Sequence, residues 1–143
     1  MRVVRGLLIV LAAVAMVGCR VVPHGAVVAD VDPKGWSVGE GVDLCFSATD
    51  TTSLHTISIV ARREFGKTAE PVRLQVRAVA PDSAEVGGVV VLPVGGSRQG
   101  GSFEEVEALW VENARLKEGT YTFTLAPTHE VEGVWNVGVE IEN

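Results

Sequence analysis

The residues able to carry out chemistry are few and widely spaced. Three histidines, His24, His55 and His129, stand far apart, and none has a partner at metal-ligand spacing such as His-Glu-x-x-His or Cys-x-x-Cys. The one Gly-x-Ser-x-Gly match, Gly35-Trp36-Ser37-Val38-Gly39, is followed by no convincing helix, so the strand-to-helix elbow of a serine hydrolase is not encoded. Thr128-His129-Glu130 places a base beside a carboxylate, but in a stretch that reads as a solvated loop. Glu104, Glu105 and Glu107 read as a charged solvent face rather than an acid/base pair. The glycine-rich stretch 95–102 lacks the Gly-Lys-Ser/Thr ending of a phosphate loop and reads as a flexible loop. The expectation is a non-enzyme: no catalytic residue, no metal and no cofactor.

Four kinds of residue remain. Trp36 and Trp110 are candidates for stacking on an apolar ligand face, such as that of a sugar, with edge or core packing as the alternative. Trp135 alternates with Val137 and Val139 and is expected to pack inward with them. Asp50-Thr51-Thr52 and Asp82-Ser83-Ala84 fall in turns. Both resemble the Asp-Ser/Thr-small/aliphatic acceptor of O-glycosylation in Bacteroidota, which makes Thr51 and Ser83 candidate modification positions; ordinary turn chemistry is the alternative.

The fourth is Cys19. Arg2 and Arg5 open the chain, Gly6 to Val17 form an uncharged apolar run, and Met16-Val17-Gly18 precedes the cysteine. A positive start, a short apolar run and a small residue at the cut mark a secretion leader, and the run is shorter than the ~20 residues a bilayer core requires. A cysteine directly after the small residue resembles the bacterial lipobox, with Met16 where leucine is commoner. Residues 1–18 are therefore expected to be removed and Cys19 to be lipidated. Two or more acyl chains give stable anchoring at ~0.8 kcal/mol per buried CH₂. No acidic cluster follows Cys19, which favours a domain facing the periplasm from the outer membrane. With Cys19 taken by the anchor, Cys45 is expected to be an inert, semi-buried thiol, with an intermolecular disulfide or a redox role as the alternative.

The mature chain would have 125 of the 143 residues, the size of one domain. Its charge would be the 12 Lys+Arg less the two in the leader against 18 Asp+Glu, a net −8. Such an acidic chain lacks the basic face that nucleic acid requires, and has no attraction of its own for anionic headgroups. The lipid on Cys19 would be its contact with the membrane.

Strands must position these residues. Residues 19–34 read as a tether passing into a first strand, 26–31, with Pro23 and Pro33 keeping its ends from being helical. Period-two alternation marks 41–48, 54–62 and 72–78; the last sets Val72, Leu74, Val76 and Ala78 against Arg73, Gln75 and Arg77. Residues 89–92 read as a short buried strand, and 103–116 fit both helical and strand spacing, with strand preferred. Thr120 to Leu125 and Val134 to Ile141 read as a closing hairpin. About eight short antiparallel strands and no convincing helix predict an all-β fold. The organisation is a leader at 1–18, a tether and first strand at 19–34, and a single β-sandwich at 35–143 with jelly-roll or Ig-like Greek-key connections.

Three segments carry a family likeness: Asp50-Thr51-Thr52-Ser53-Leu54-His55-Thr56-Ile57-Ser58-Ile59, Gly119-Thr120-Tyr121-Thr122-Phe123-Thr124-Leu125, and Glu132-Gly133-Val134-Trp135-Asn136-Val137-Gly138-Val139-Glu140-Ile141. Together with the leader they resemble the gliding-motility lipoprotein GldH family of Bacteroidota. The chain departs from that family's pattern at 64–71, where only Phe65 and Pro71 of an aromatic-rich stretch remain, and at the glycine stretch 95–102. The resemblance implies a non-enzymatic accessory or structural component of a gliding or secretion-associated envelope complex, with envelope proteins as partners. The alternative expectation is a periplasmic carbohydrate- or peptidoglycan-binding module.

Overall fold

A computed structural model describes residues 19–20, 25–64, 70–93, 98–100 and 103–143. The expected leader at 1–18 lies outside these residues, as do Phe65 and much of the glycine stretch.

Ten strands follow in order: β1 (Cys19–Arg20), β2 (Gly25–Asp30), β3 (Val42–Ala48), β4 (Leu54–Glu64), β5 (Val72–Val79), β6 (Glu85–Leu92), β7 (Arg98–Gly100), β8 (Phe103–Arg115), β9 (Gly119–Pro127) and β10 (Val134–Glu142). They form two five-stranded sheets, ordered β1-β3-β9-β5-β6 and β2-β10-β4-β8-β7. Every pairing is antiparallel except the short parallel one between β1 and β3. Without the two short strands the orders are β3-β9-β5-β6 and β2-β10-β4-β8, the arrangement of a jelly roll. The all-β sandwich read from the alternation is thus the fold, and no helix occurs among the described residues.

The core lies between the two inner faces. One sheet contributes Leu44, Phe46, Leu74, Val76, Phe123 and Leu125, and the other Ile57, Ile59, Val106, Val137, Val139 and Ile141. Each large aliphatic side chain fully buried this way contributes about 1.5–3 kcal/mol. Phe46 stacks on Tyr121 at 5.3 Å and on Phe123 at 5.8 Å, which ties β3 to β9 in the centre of their sheet.

Two expectations are corrected. The last two long strands are not a hairpin: β9 pairs with β3 and β5, whereas β10 pairs with β2 and β4 in the opposite sheet. The connecting segment carries the chain across the sandwich, and it is held there by reciprocal backbone hydrogen bonds between Trp36 and Val131, 2.8 and 3.0 Å long. Alternation in two successive strands is the same whether they pair or face each other, so periodicity could not decide between these arrangements. Within the glycine stretch, Arg98–Gly100 forms β7 against β8 rather than open loop. The ambiguous segment after it is one long strand, β8, whose inward side carries Val106 in the core.

Candidate functional site: an aromatic corner on one sheet face

The outward face of the β2-β10-β4-β8 sheet carries the most distinctive cluster among the described residues. It originates in a break of register. Arg63 and Arg62, adjacent on β4, face Val134 and Asn136 on β10, so Trp135 is an extra residue between two rungs. Such a bulge reverses the inside-outside phase of the strand that follows it. Val137, Val139 and Ile141 remain buried, while Trp135, which shares their parity, is turned outward and is 42% exposed. The expectation that Trp135 packs with those valines is corrected. Two signals mark the bulge: the adjacent apolar pair Val134-Trp135, which strict alternation does not allow, and Gly133 before it, at φ 80°.

The indole is held by its neighbours. Phe103, from the start of β8, meets it edge-on with ring centroids 5.7 Å apart and planes 84° apart. The Trp135 Nε1 donates to Glu64 Oε1 at 3.2 Å. The guanidinium of Arg62 lies over the other ring, 4.7 Å from the Phe103 centroid, a cation–π contact. Asp30, Val31, Pro33, Arg62 and Asn136 complete the lining of a hollow of about 470 Å³ against these two rings. The corner therefore combines an exposed aromatic face with a guanidinium, an amide and a carboxylate. It can stack on an apolar ring face while donating and accepting hydrogen bonds at that ring's edge.

Directly beneath, on the inward side of the same rungs, Arg63 and Glu104 face each other across β4 and β8. Their Nε–Oε1 distance is 3.1 Å, at 0% and 3% exposure. Arg63 Nη1 also donates to the carbonyl of Glu70 at 3.4 Å. Two desolvated charges stay favourable only while each faces the other.

The other sequence candidates lie elsewhere. Trp36 is only 2% exposed and donates its indole N–H to the Glu40 carbonyl at 2.8 Å, so its expected role in ligand stacking is corrected: both ring faces are inside the protein. Trp110 is half-buried and points inward, edge-on to Phe123 at 5.5 Å, so it packs against the core rather than forming a platform with Trp36. Thr51 and Ser83 are both exposed in turns. Asp50 accepts from the backbone N–H groups of Thr52 and Ser53, both at 3.0 Å. Ser83 adopts φ 69° between β5 and β6. His55 is buried, its Nε2 donating to the Asp50 carbonyl at 3.2 Å, and His129 Nε2 accepts from the Arg73 N–H at 3.2 Å. Among the described residues no group of three or more His, Cys, Asp or Glu is placed to hold a metal.

Cys45 also differs from expectation. It is buried on β3 and disulfide-bonded rather than an inert thiol. The sequence has one other cysteine, Cys19, whose backbone is the register partner of Cys45 in the parallel β1–β3 pair.

No family model and no curated protein matches the chain. Among solved structures it is similar to a family 35 carbohydrate binding module from an environmental isolate, at 16% identity and TM-score 0.48 over 80% of this chain and 73% of that one. It is also similar to TmCBM61, solved in complex with β-1,4-galactotriose, at 12% identity and TM-score 0.41 over 82% and 70%. A Bacillus thuringiensis Cry1Da tryptic core variant matches at 12% identity and TM-score 0.39, over 85% of this chain and 21% of that one. The jelly-roll assignment rests on the strand pairings described above.

Proposed function

We propose that this chain is a non-enzymatic glycan-binding module of a bacterial envelope. The observation that carries the reading is the outward Trp135, displaced from the core by a bulge and fixed by Phe103 and Glu64 beside Arg62, Asp30 and Asn136. A pyranose offers an apolar C–H face to such an indole and hydroxyls to the polar groups around it. The bulge serves the site rather than the fold, since an inward tryptophan would bury more apolar surface. The test is a glycan array probed with the full chain and with Trp135→Ala. Selective binding by the parent that the variant loses supports the reading. An array bound by neither, or equally by both, overturns it.

The accessory role in a gliding or secretion-associated complex is the second reading, and one observation favours it. Strand β6 is an edge strand with Val89 and Val91 exposed and no charged residue from Val86 to Leu92, a surface on which another protein could add a strand. The segments that carry the family resemblance speak less to this role. Phe123, Leu125, Val137, Val139 and Ile141 are buried, so these segments specify the sandwich interior rather than a partner surface. Crosslinked co-purification of the same envelope protein with the parent, lost with a Val89→Lys and Val91→Lys double variant, would favour this reading over glycan binding.

A further inference from the structure

Resting on the glycan-binding reading, we propose that the ligand is a chain of several sugar rings lying lengthwise along β10, neutral or amine-bearing rather than acidic. The hollow at Trp135 is not closed. Arg62 and Asn136 line it, and the same two residues line a second concavity of about 380 Å³ that continues down the sheet past Val28 and Val60 to Glu107 and Glu140. Pairing fixes the order of features along this path. Asn136 is level with Asp30 and Arg62, Gly138 with Val28 and Val60, and Glu140 with Ala26 and Ser58.

Gly138 gives the middle of the path its shape. A Cβ there would lie 2.5 Å from Val28 Cγ1 and 2.5 Å from the Val27 carbonyl oxygen, so only glycine lets Val28 lean across β10. The floor therefore runs from the aromatic Trp135, through the polar rung of Asp30, Asn136 and Arg62, over the rung of Val28, Gly138 and Val60, which Glu107 ends on β8, to Glu140 on the next outward rung. That alternation matches a glycan chain, in which apolar ring faces alternate with hydroxyl-bearing edges. At about 3.4 Å per residue, Asn136 to Glu142 spans roughly 20 Å, longer than a single ring.

Charge selects the class of chain. Glu105, Glu107, Glu140 and Glu142 line the second concavity with Arg62 as its one cation. These carboxylates accept from hydroxyls or ammonium groups and repel uronates, most strongly at low salt.

The test is titration of the full chain with oligosaccharides from one ring upward, in neutral gluco-, xylo-, manno- and galacto-series, a chitosan series and an oligogalacturonate series. Affinity in at least one neutral or chitosan series should rise about tenfold or more between one ring and four. Oligogalacturonate of equal length should bind at least about tenfold more weakly at low salt, with the gap narrowing as salt is added. A Glu107→Gln and Glu140→Gln double variant should retain binding of short ligands at Trp135 while losing most of the gain with length. A single ring binding as tightly as four, or the acidic series binding as tightly as the neutral ones, overturns this inference and leaves glycan binding standing. Binding by no series overturns both.

Discussion

Phe103 meets the Trp135 indole edge-on, at 5.7 Å and 84°, and this contact joins the start of β8 to a bulge on β10 across the intervening strand β4. The pair keeps one large aromatic at the surface in a fixed orientation. Of the other two tryptophans, Trp36 is buried and Trp110 is packed against Phe123. Acrylamide quenching of intrinsic fluorescence should therefore fall mainly on Trp135. Trp135→Phe should remove most of the quenchable emission, whereas Trp36→Phe should leave it in place. Quenching unchanged by Trp135→Phe would place that indole inside the protein.

The Arg63–Glu104 pair lies below this corner, and its two members should be unequal to lose singly and together. Glu104→Ala removes the carboxylate that faces a buried guanidinium and should cost about 3–5 kcal/mol of unfolding free energy. Replacing both residues, as Arg63→Met with Glu104→Leu, removes the desolvated charges altogether and should cost much less. Denaturant titrations of the two variants decide this, and a double variant no more stable than Glu104→Ala would refute it.

Acid should destabilise the turn before β4. The Asp50 carboxyl is held well below its ordinary 3.8, first by the hydroxyl of Ser53, then by the backbone N–H groups of Ser53 and Thr52, and least by the Thr52 hydroxyl. Asp82 is lowered in the same direction, first by Lys117 and then by the Ala84 N–H. A carboxyl with a lowered folded pKa contributes stability that is complete above its unfolded value and is lost as pH falls through the folded one. Thermal stability should therefore be flat near neutrality and decline below about pH 4. Asp50→Ala should be less stable at neutral pH and show a shallower decline in acid. An equal decline in both proteins would remove Asp50 from the account.

The sulfur of Cys19 cannot be both a lipid thioether and half of a disulfide. Intact mass of the protein isolated from its native envelope distinguishes the two. A lipidated, leader-free mass together with one alkylatable thiol supports the anchor and leaves Cys45 reduced. A mass without lipid and with no alkylatable thiol supports a bond between Cys19 and Cys45 and excludes the anchor expected from the leader. Hexose-containing additions that disappear in Thr51→Ala or Ser83→Ala would establish modification of those turns.

Most of the fold was legible in the sequence, because burying one face of a pleated strand imposes a period of two that residues 72–78 follow without exception. The strands read at 41–48, 54–62 and 120–125 followed from the same rule. The export and lipid tether expected at Cys19 are also read from a local pattern, most of which, residues 1–18, lies outside what the structure describes. What the tertiary structure alone decided was pairing and phase. Periodicity states that a strand has an inside, but not which strand lies beside it, so β9 and β10 read as a hairpin although they belong to opposite sheets. Nor does it survive an inserted residue. A single bulge at Trp135 placed the tryptophan expected in the core at the surface, while Trp36, a candidate platform, lies in the interior. A bulge is defined by the partner strand's register, and that register is set by contacts between residues some seventy positions apart, beyond the reach of any local pattern.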